Sequence, residues 1–108
     1  GYGATLWVDG EASALVLDDP GDPQRVLEVV RRRGAGPPDL VVVLDGDRAD
    51  ADAVIALRDR YGPVPVAAPP LHRVPGGRTV ERGQRIDLGG LVVQIREVAP
   101  RIAVIVTR

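Results

Sequence analysis

The chain has 108 residues, of which 44% are hydrophobic and 27% charged, and its formal net charge is −1. That length suits one domain over residues 1–108 with one modest core, and the composition excludes a disordered chain. The near-zero charge supplies no field to steer the chain toward nucleic acid or an anionic membrane, and the lack of cysteine excludes a disulfide framework and thiolate ligands.

All fourteen basic residues are arginine, and Phe, Met, Cys and Asn are missing, which reads as GC-biased coding rather than chemistry. No apolar run approaches the roughly 18 residues that span a bilayer, and no signal peptide is visible. The chain begins at Gly1 and stops on Thr107-Arg108 directly after an apolar strand. It is therefore expected to be a piece of a longer protein, with membrane segments lying outside it.

Thr5-Leu-Trp-Val8 reads as a first strand, Asp9-Gly10 as a hairpin turn, and Ser13-Ala-Leu-Val-Leu17 as a second strand. Asp18-Asp-Pro-Gly-Asp-Pro23 breaks the sheet. Asp22 is a natural N-cap, with Pro23 at the first helical position, where its missing N–H costs nothing. Val26, Leu27 and Val30 recur at helical spacing, with Val29 widening the stripe. Arg31-Arg-Arg33 falls in the last turn, favourable against the helix dipole, and Gly34 ends the helix.

Leu40 to Leu44 is a continuous apolar run, as expected of a central parallel strand covered on both faces. Asp50 or Asp47 then caps a second helix, roughly Ala51 to Tyr61, which Gly62-Pro63 stops. Val64-Pro-Val66-Ala67 reads as a fourth strand, placed at an edge because Pro65 cannot donate to a ladder. Pro69-Pro70 and Pro75-Gly-Gly77 bracket a loop with the only histidine, His72. The segments 78–80, 85–88, 91–97 and 102–106 follow as short strands, with Gly89-Gly90 as a hairpin signal. The expected fold class is α/β: a mixed β-sheet with two helices, extended by a C-terminal antiparallel meander.

The strand Leu15-Val-Leu17 running into Asp18-Asp-Pro-Gly-Asp-Pro23 resembles the L-V-D-x-G-P-D-P turn of the metallo-β-lactamase-like soluble domain of ComEC-type competence proteins, the membrane channels of DNA uptake. The buried strand that follows reads, in that family, into T-H-x-H-A-D-H. Here those positions are Asp45-Gly46-Asp47-Arg48-Ala49-Asp50-Ala51. Tyr61-Gly-Pro-Val64 and Gly83 to Val93 also resemble family segments. The resemblance implies half of an αββα sandwich and a frame related to a nuclease-type hydrolase.

The departures from that pattern concern chemistry. The three motif histidines fall on Gly46, Arg48 and Ala51, and of the motif's ligand residues only the aspartate is kept, as Asp50. Zinc needs about three or four N, S or O donors at roughly 2.0–2.3 Å. Glycine and alanine have none, and Arg48 adds a positive charge where a dication would sit. No zinc, and no resident cofactor, is therefore expected.

Two readings of the acidic loop stay open. Asp18, Asp45, Asp47 and Asp50 lie where ligands bind in open α/β sheets, and such carboxylates suit a weak magnesium site. A strand followed by Asp-x-Asp also resembles haloacid-dehalogenase-type and Toprim-type phosphoryl sites, although the lysine common in the first is missing. Alternatively Asp47 or Asp50 caps the helix and the others are solvated turn residues. Arg31, Arg32 and Arg33, with Arg25, are either phosphate contacts or a solvated helix end. His72 reads as a surface residue, Ser13 lacks nucleophile context, and Trp7 and Tyr61 read as core or edge packing.

The function expected is that of a non-catalytic accessory domain of a ComEC-like DNA-uptake membrane protein, contacting DNA or the rest of the channel protein. Such a soluble domain would be tethered to a membrane protein. A metal-dependent hydrolase or phosphoesterase using the aspartates, and a plain interaction module with an exposed sheet edge, are the alternatives.

Overall fold

The computed structural model describes residues 3–33 and 36–108. Its elements in order are β1 (Ala4–Asp9), β2 (Ala12–Leu17), α1 (Pro23–Arg32), β3 (Leu40–Val43), α2 (Arg48–Tyr61), β4 (Val66–Ala68), β5 (Gly77–Thr79), β6 (Arg85–Asp87), β7 (Val92–Glu97) and β8 (Ala103–Thr107). They make two sheets rather than the single extended one expected. The first has the order β1-β2-β3-β4-β5, the second β6-β7-β8. Strand β1 is antiparallel to β2, strands β2 to β5 run parallel, and the second sheet is antiparallel throughout.

The period of two along β3 explains the layering. All four residues of Leu40–Val43 are buried. Val41 and Val43 share one core with Val26 and Val30 of α1 and Val54 and Leu57 of α2. Leu40 and Val42 face the other way, into a core completed by Leu91, Val93, Ile95 and Ile102. Successive side chains point to opposite faces, so a strand apolar throughout must be covered on both. Helices cover one side and the second sheet the other. Toward that second sheet the first presents Ala12, Ala14 and Ala67, against which the larger Leu91, Val93 and Ile95 pack. Small against large lets two sheets approach closely.

The helix signals hold, with shifted bounds. The Asp22 carboxylate accepts from the Gln24 N–H at 2.9 Å, with Pro23 opening α1. The described part of that helix ends on Arg33 as its C-cap, and Gly34 lies outside the described residues. Helix α2 starts at Arg48 rather than Ala51, because Asp47 is its N-cap.

Two strand assignments are corrected. β4 is interior, since β5 pairs with it in parallel on the side away from β3. Pro65 precedes the ladder, so its missing N–H removes no bond, while its carbonyl accepts from Val41 at 2.9 Å. Residues 77–79 thus belong to the first sheet rather than to a terminal meander. Ile102 stands just outside β8, because its N–H donates to the Leu44 carbonyl at 2.8 Å. That bond pins the β7–β8 connection to the end of β3.

Leu57 is fully buried beneath the first sheet. Leu57→Ala should destabilise the domain by roughly 2–5 kcal/mol, because a cavity adds to the lost transfer energy. Urea unfolding at constant m-value measures it, and a loss below about 1 kcal/mol would contradict this packing.

Candidate functional site

Strands β2, β3 and β4 are parallel, so their carboxyl ends fall on one edge, where open α/β sheets bind ligands. Asp18 follows β2, Asp45 follows β3, and the loop with His72 follows β4. The edge therefore gathers residues from three separate segments. The four aspartates singled out in the sequence fall into two pairs there.

Asp47 is the N-cap. Its carboxylate accepts from the Asp50 N–H at 3.1 Å. Asp50 answers across the same turn: its Oδ2 accepts from the Gly46 N–H at 2.8 Å. This is a variant of the capping box, in which the third helical residue reaches back over the cap. Asp50 is fully buried, and its Oδ1 has no hydrogen-bond partner. Burial pushes its pKa up from 3.8 to about 6. The Gly46 bond pulls the other way, and the charges of Asp47 and Asp45 add to the rise.

Asp18 and Asp45 share one cation, which is Arg101. Its Nη2 donates to Asp18 Oδ1 at 2.6 Å and to Asp45 Oδ2 at 3.2 Å, and its Nε stands 3.2 Å from Asp45 Oδ1. The hydrogen bond to Asp18 raises the guanidinium pKa further, outweighing partial desolvation. Sequence reasoning placed Arg48 as the positive charge at this point. Instead Arg48 is exposed in the first turn of α2, and among the described residues no ion pair joins it to an aspartate. Arg101 gave no local signal, standing 83 residues from Asp18 and 56 from Asp45.

Gly46 and Ala51, at two of the histidine positions, are occupied by structure. Gly46 has φ +69°, and a Cβ there would lie 2.8 Å from His72 Cβ and 3.0 Å from Pro69 Cγ. Ala51 is buried in the helix-side core. His72 is half-buried rather than a free loop residue. Its Nδ1 accepts from the Val74 N–H at 3.1 Å, and its ring lies where a Gly77 side chain would be. The Arg73 N–H donates to the Gly46 carbonyl at 3.0 Å, locking this loop onto the motif turn.

The four aspartates do not converge on one point. Among the described residues no group of three or more His, Cys, Asp or Glu is placed to hold a metal ion. Arg31, Arg32 and Arg33 are exposed at the end of α1, away from this edge in sequence and element, and Arg31 lies 3.5 Å from Glu28. Trp7 stands 40% exposed on edge strand β1.

Two expectations follow from this geometry. A folded-state pKa above the unfolded value means that the Asp50 contribution is fully present below pH 3.8 and is lost as pH rises through about 6. Asp50→Asn cannot ionise, so its stability relative to wild type should improve by on the order of 2 kcal/mol between pH 4 and pH 7. Urea unfolding across that range checks this, and a pH-independent difference would refute it. Gly46→Ala should destabilise by roughly 1–3 kcal/mol through left-handed strain and the clash with His72, read as a drop in urea midpoint.

No protein-family model matches the sequence, and no curated protein matches it. Solved structures do. The chain is similar to MEM-A1, a subclass B3 metallo-β-lactamase isolated from a soil metagenome library, with a TM-score of 0.66 and 21% identity over 86% of this chain and 45% of that one. It is also similar to the Rm3 metallo-β-lactamase, with a TM-score of 0.66 and 15% identity over 95% of this chain and 54% of that one. The chain thus spans about half the length of these enzymes. At such identities the likeness speaks of architecture alone: two helices over two β-sheets, the fold of part of a metallo-β-lactamase.

Proposed function

We propose that this chain is a non-catalytic, metallo-β-lactamase-like domain, serving as an accessory part of a ComEC-like DNA-uptake membrane protein. One observation carries the non-catalytic half. The edge where a hydrolase of this fold would gather metal ligands holds an Asp18–Arg101–Asp45 ion cluster instead. A metal is what the name of the similar enzymes implies, and the residues here do not fit one. Gly46 and Ala51 offer no donor, and a guanidinium already engages two of the four carboxylates. The orphaned Asp50 Oδ1 is buried behind the helix cap, and its partner oxygen is committed to Gly46.

The DNA-uptake half rests on the sequence pattern from Leu15 to Pro23, Tyr61 to Val64 and Gly83 to Val93. Among the described residues no helix is long and apolar enough to cross a membrane, so tethering would come from elsewhere in the protein. The exposed Arg31, Arg32 and Arg33 are the phosphate contacts this reading uses. Their cationic groups stand exposed at a helix end, which suits contact with a phosphate backbone.

The purified domain should hydrolyse neither a β-lactam nor a phosphodiester in the presence of zinc, magnesium or manganese. It should bind labelled oligothymidine weakly, with log K falling against log salt at a slope of about −2 for roughly three phosphates. The triple change Arg31→Ala, Arg32→Ala, Arg33→Ala should abolish that binding. Metal-dependent turnover would sink the non-catalytic reading, and absent or salt-insensitive DNA binding would sink the uptake role.

A further inference from the structure

We infer that Arg101 is the built-in counter-ion of the acidic edge, standing in for a metal ion and clamping the β7–β8 connection onto the ends of β2 and β3. The inference rests on the non-catalytic reading of that edge and adds what holds it together. Four carboxylates crowd two short loops there: Asp18 after β2, and Asp45, Asp47 and Asp50 around the start of α2. Two of them are hydrogen-bonded locally. Asp47 and Asp50 accept backbone N–H groups at the helix N-terminus, where the dipole favours negative charge. Asp18 and Asp45 have no such bond to the helix. A cation must come from elsewhere, and Arg101 supplies it.

The geometry is that of a designed fork rather than a chance approach. The Nε and Nη2 edge of Arg101 meets both oxygens of Asp45 at 3.2 Å each, a side-on bidentate pair, while Nη2 also reaches Asp18 at 2.6 Å. The backbone fixes the arginine for this task. Its neighbour Ile102 is 1% exposed in the inter-sheet core and donates its N–H to the Leu44 carbonyl, one residue before Asp45. Arg101 thus arrives at the edge as a consequence of sheet packing.

A guanidinium differs from a metal in two respects that matter here. It cannot dissociate, so one positive charge stays against Asp18 and Asp45 at any metal concentration. It also repels a dication from the carboxylates it holds. The three side chains are 45%, 57% and 34% exposed, so solvent screens the cluster and its effect is modest rather than dominant.

Thermal unfolding of the whole domain tests this through a cycle of variants. Arg101→Gln should lower Tm by roughly 4 °C, the shift expected when about 1 kcal/mol is lost from a domain of this size. Adding Asp18→Asn and Asp45→Asn to Arg101→Gln should recover most of that loss, since the uncompensated charge is removed with its partner. Manganese at millimolar concentration should raise the Tm of Arg101→Gln and leave wild type unchanged, because a cation binding only the folded state stabilises it. An unchanged Tm in Arg101→Gln overturns the inference. So does a loss that the two asparagines fail to recover, which would mark a packing role, or a manganese response equal in wild type and variant. Hydrolysis by the wild type bears on the proposed function, whereas these outcomes bear on Arg101 alone.

Discussion

Burial of both faces of β3 is the constraint on which the rest depends. Leu40–Val43 carries no polar side chain on either side, so the strand can exist only between two covering layers. The helices supply one and the three-stranded sheet the other. Each layer is itself amphipathic and could not bury its apolar side alone. Once both faces are closed, the strand's only access to solvent is at its ends. Its carboxyl end opens onto the acidic edge formed by Asp18, Asp45, Asp47 and Asp50.

That edge shows how clustered carboxylates can be held by hydrogen-bond donors and a cation from the chain itself. Carboxylates at the ends of adjacent parallel strands repel one another, and the repulsion has to be met by positive charge or by hydrogen-bond donors. Here the two sources are divided by position. Backbone N–H groups at the start of α2 take Asp47 and Asp50, and the Arg101 fork takes Asp18 and Asp45. Only Asp50 is imperfectly served. One of its oxygens is buried without a partner, and its raised pKa is the electrostatic expression of that deficit.

Much of the architecture was legible from local pattern. The all-apolar run at 40–44, the Asp22-Pro23 start of α1 and the Gly89-Gly90 hairpin each rest on chemistry within a few residues, and each holds. What failed was assignment to layers. Pro65 argued for an edge, but the ladder starts at Val66 and the proline falls outside it. The segment 77–79 looked like the start of a meander, yet it returns to pair in parallel with β4. Short strands with alternating burial carry little information about which neighbour they join, because pairing is decided by which face remains to be covered.

The sequence by itself determined most of the elements, the Asp22 cap of α1 and the position of an acidic turn after a buried strand. All of these depend on neighbours along the chain. Only the tertiary structure decided which side chains meet at that turn. It left Arg48 in solvent, set His72 against Gly46 and Gly77, and brought Arg101 from 83 residues away onto Asp18. The reason is that such encounters follow from how two sheets pack. Packing is set by the sum of buried apolar surface over the whole chain, and no local spacing encodes where a single arginine will land.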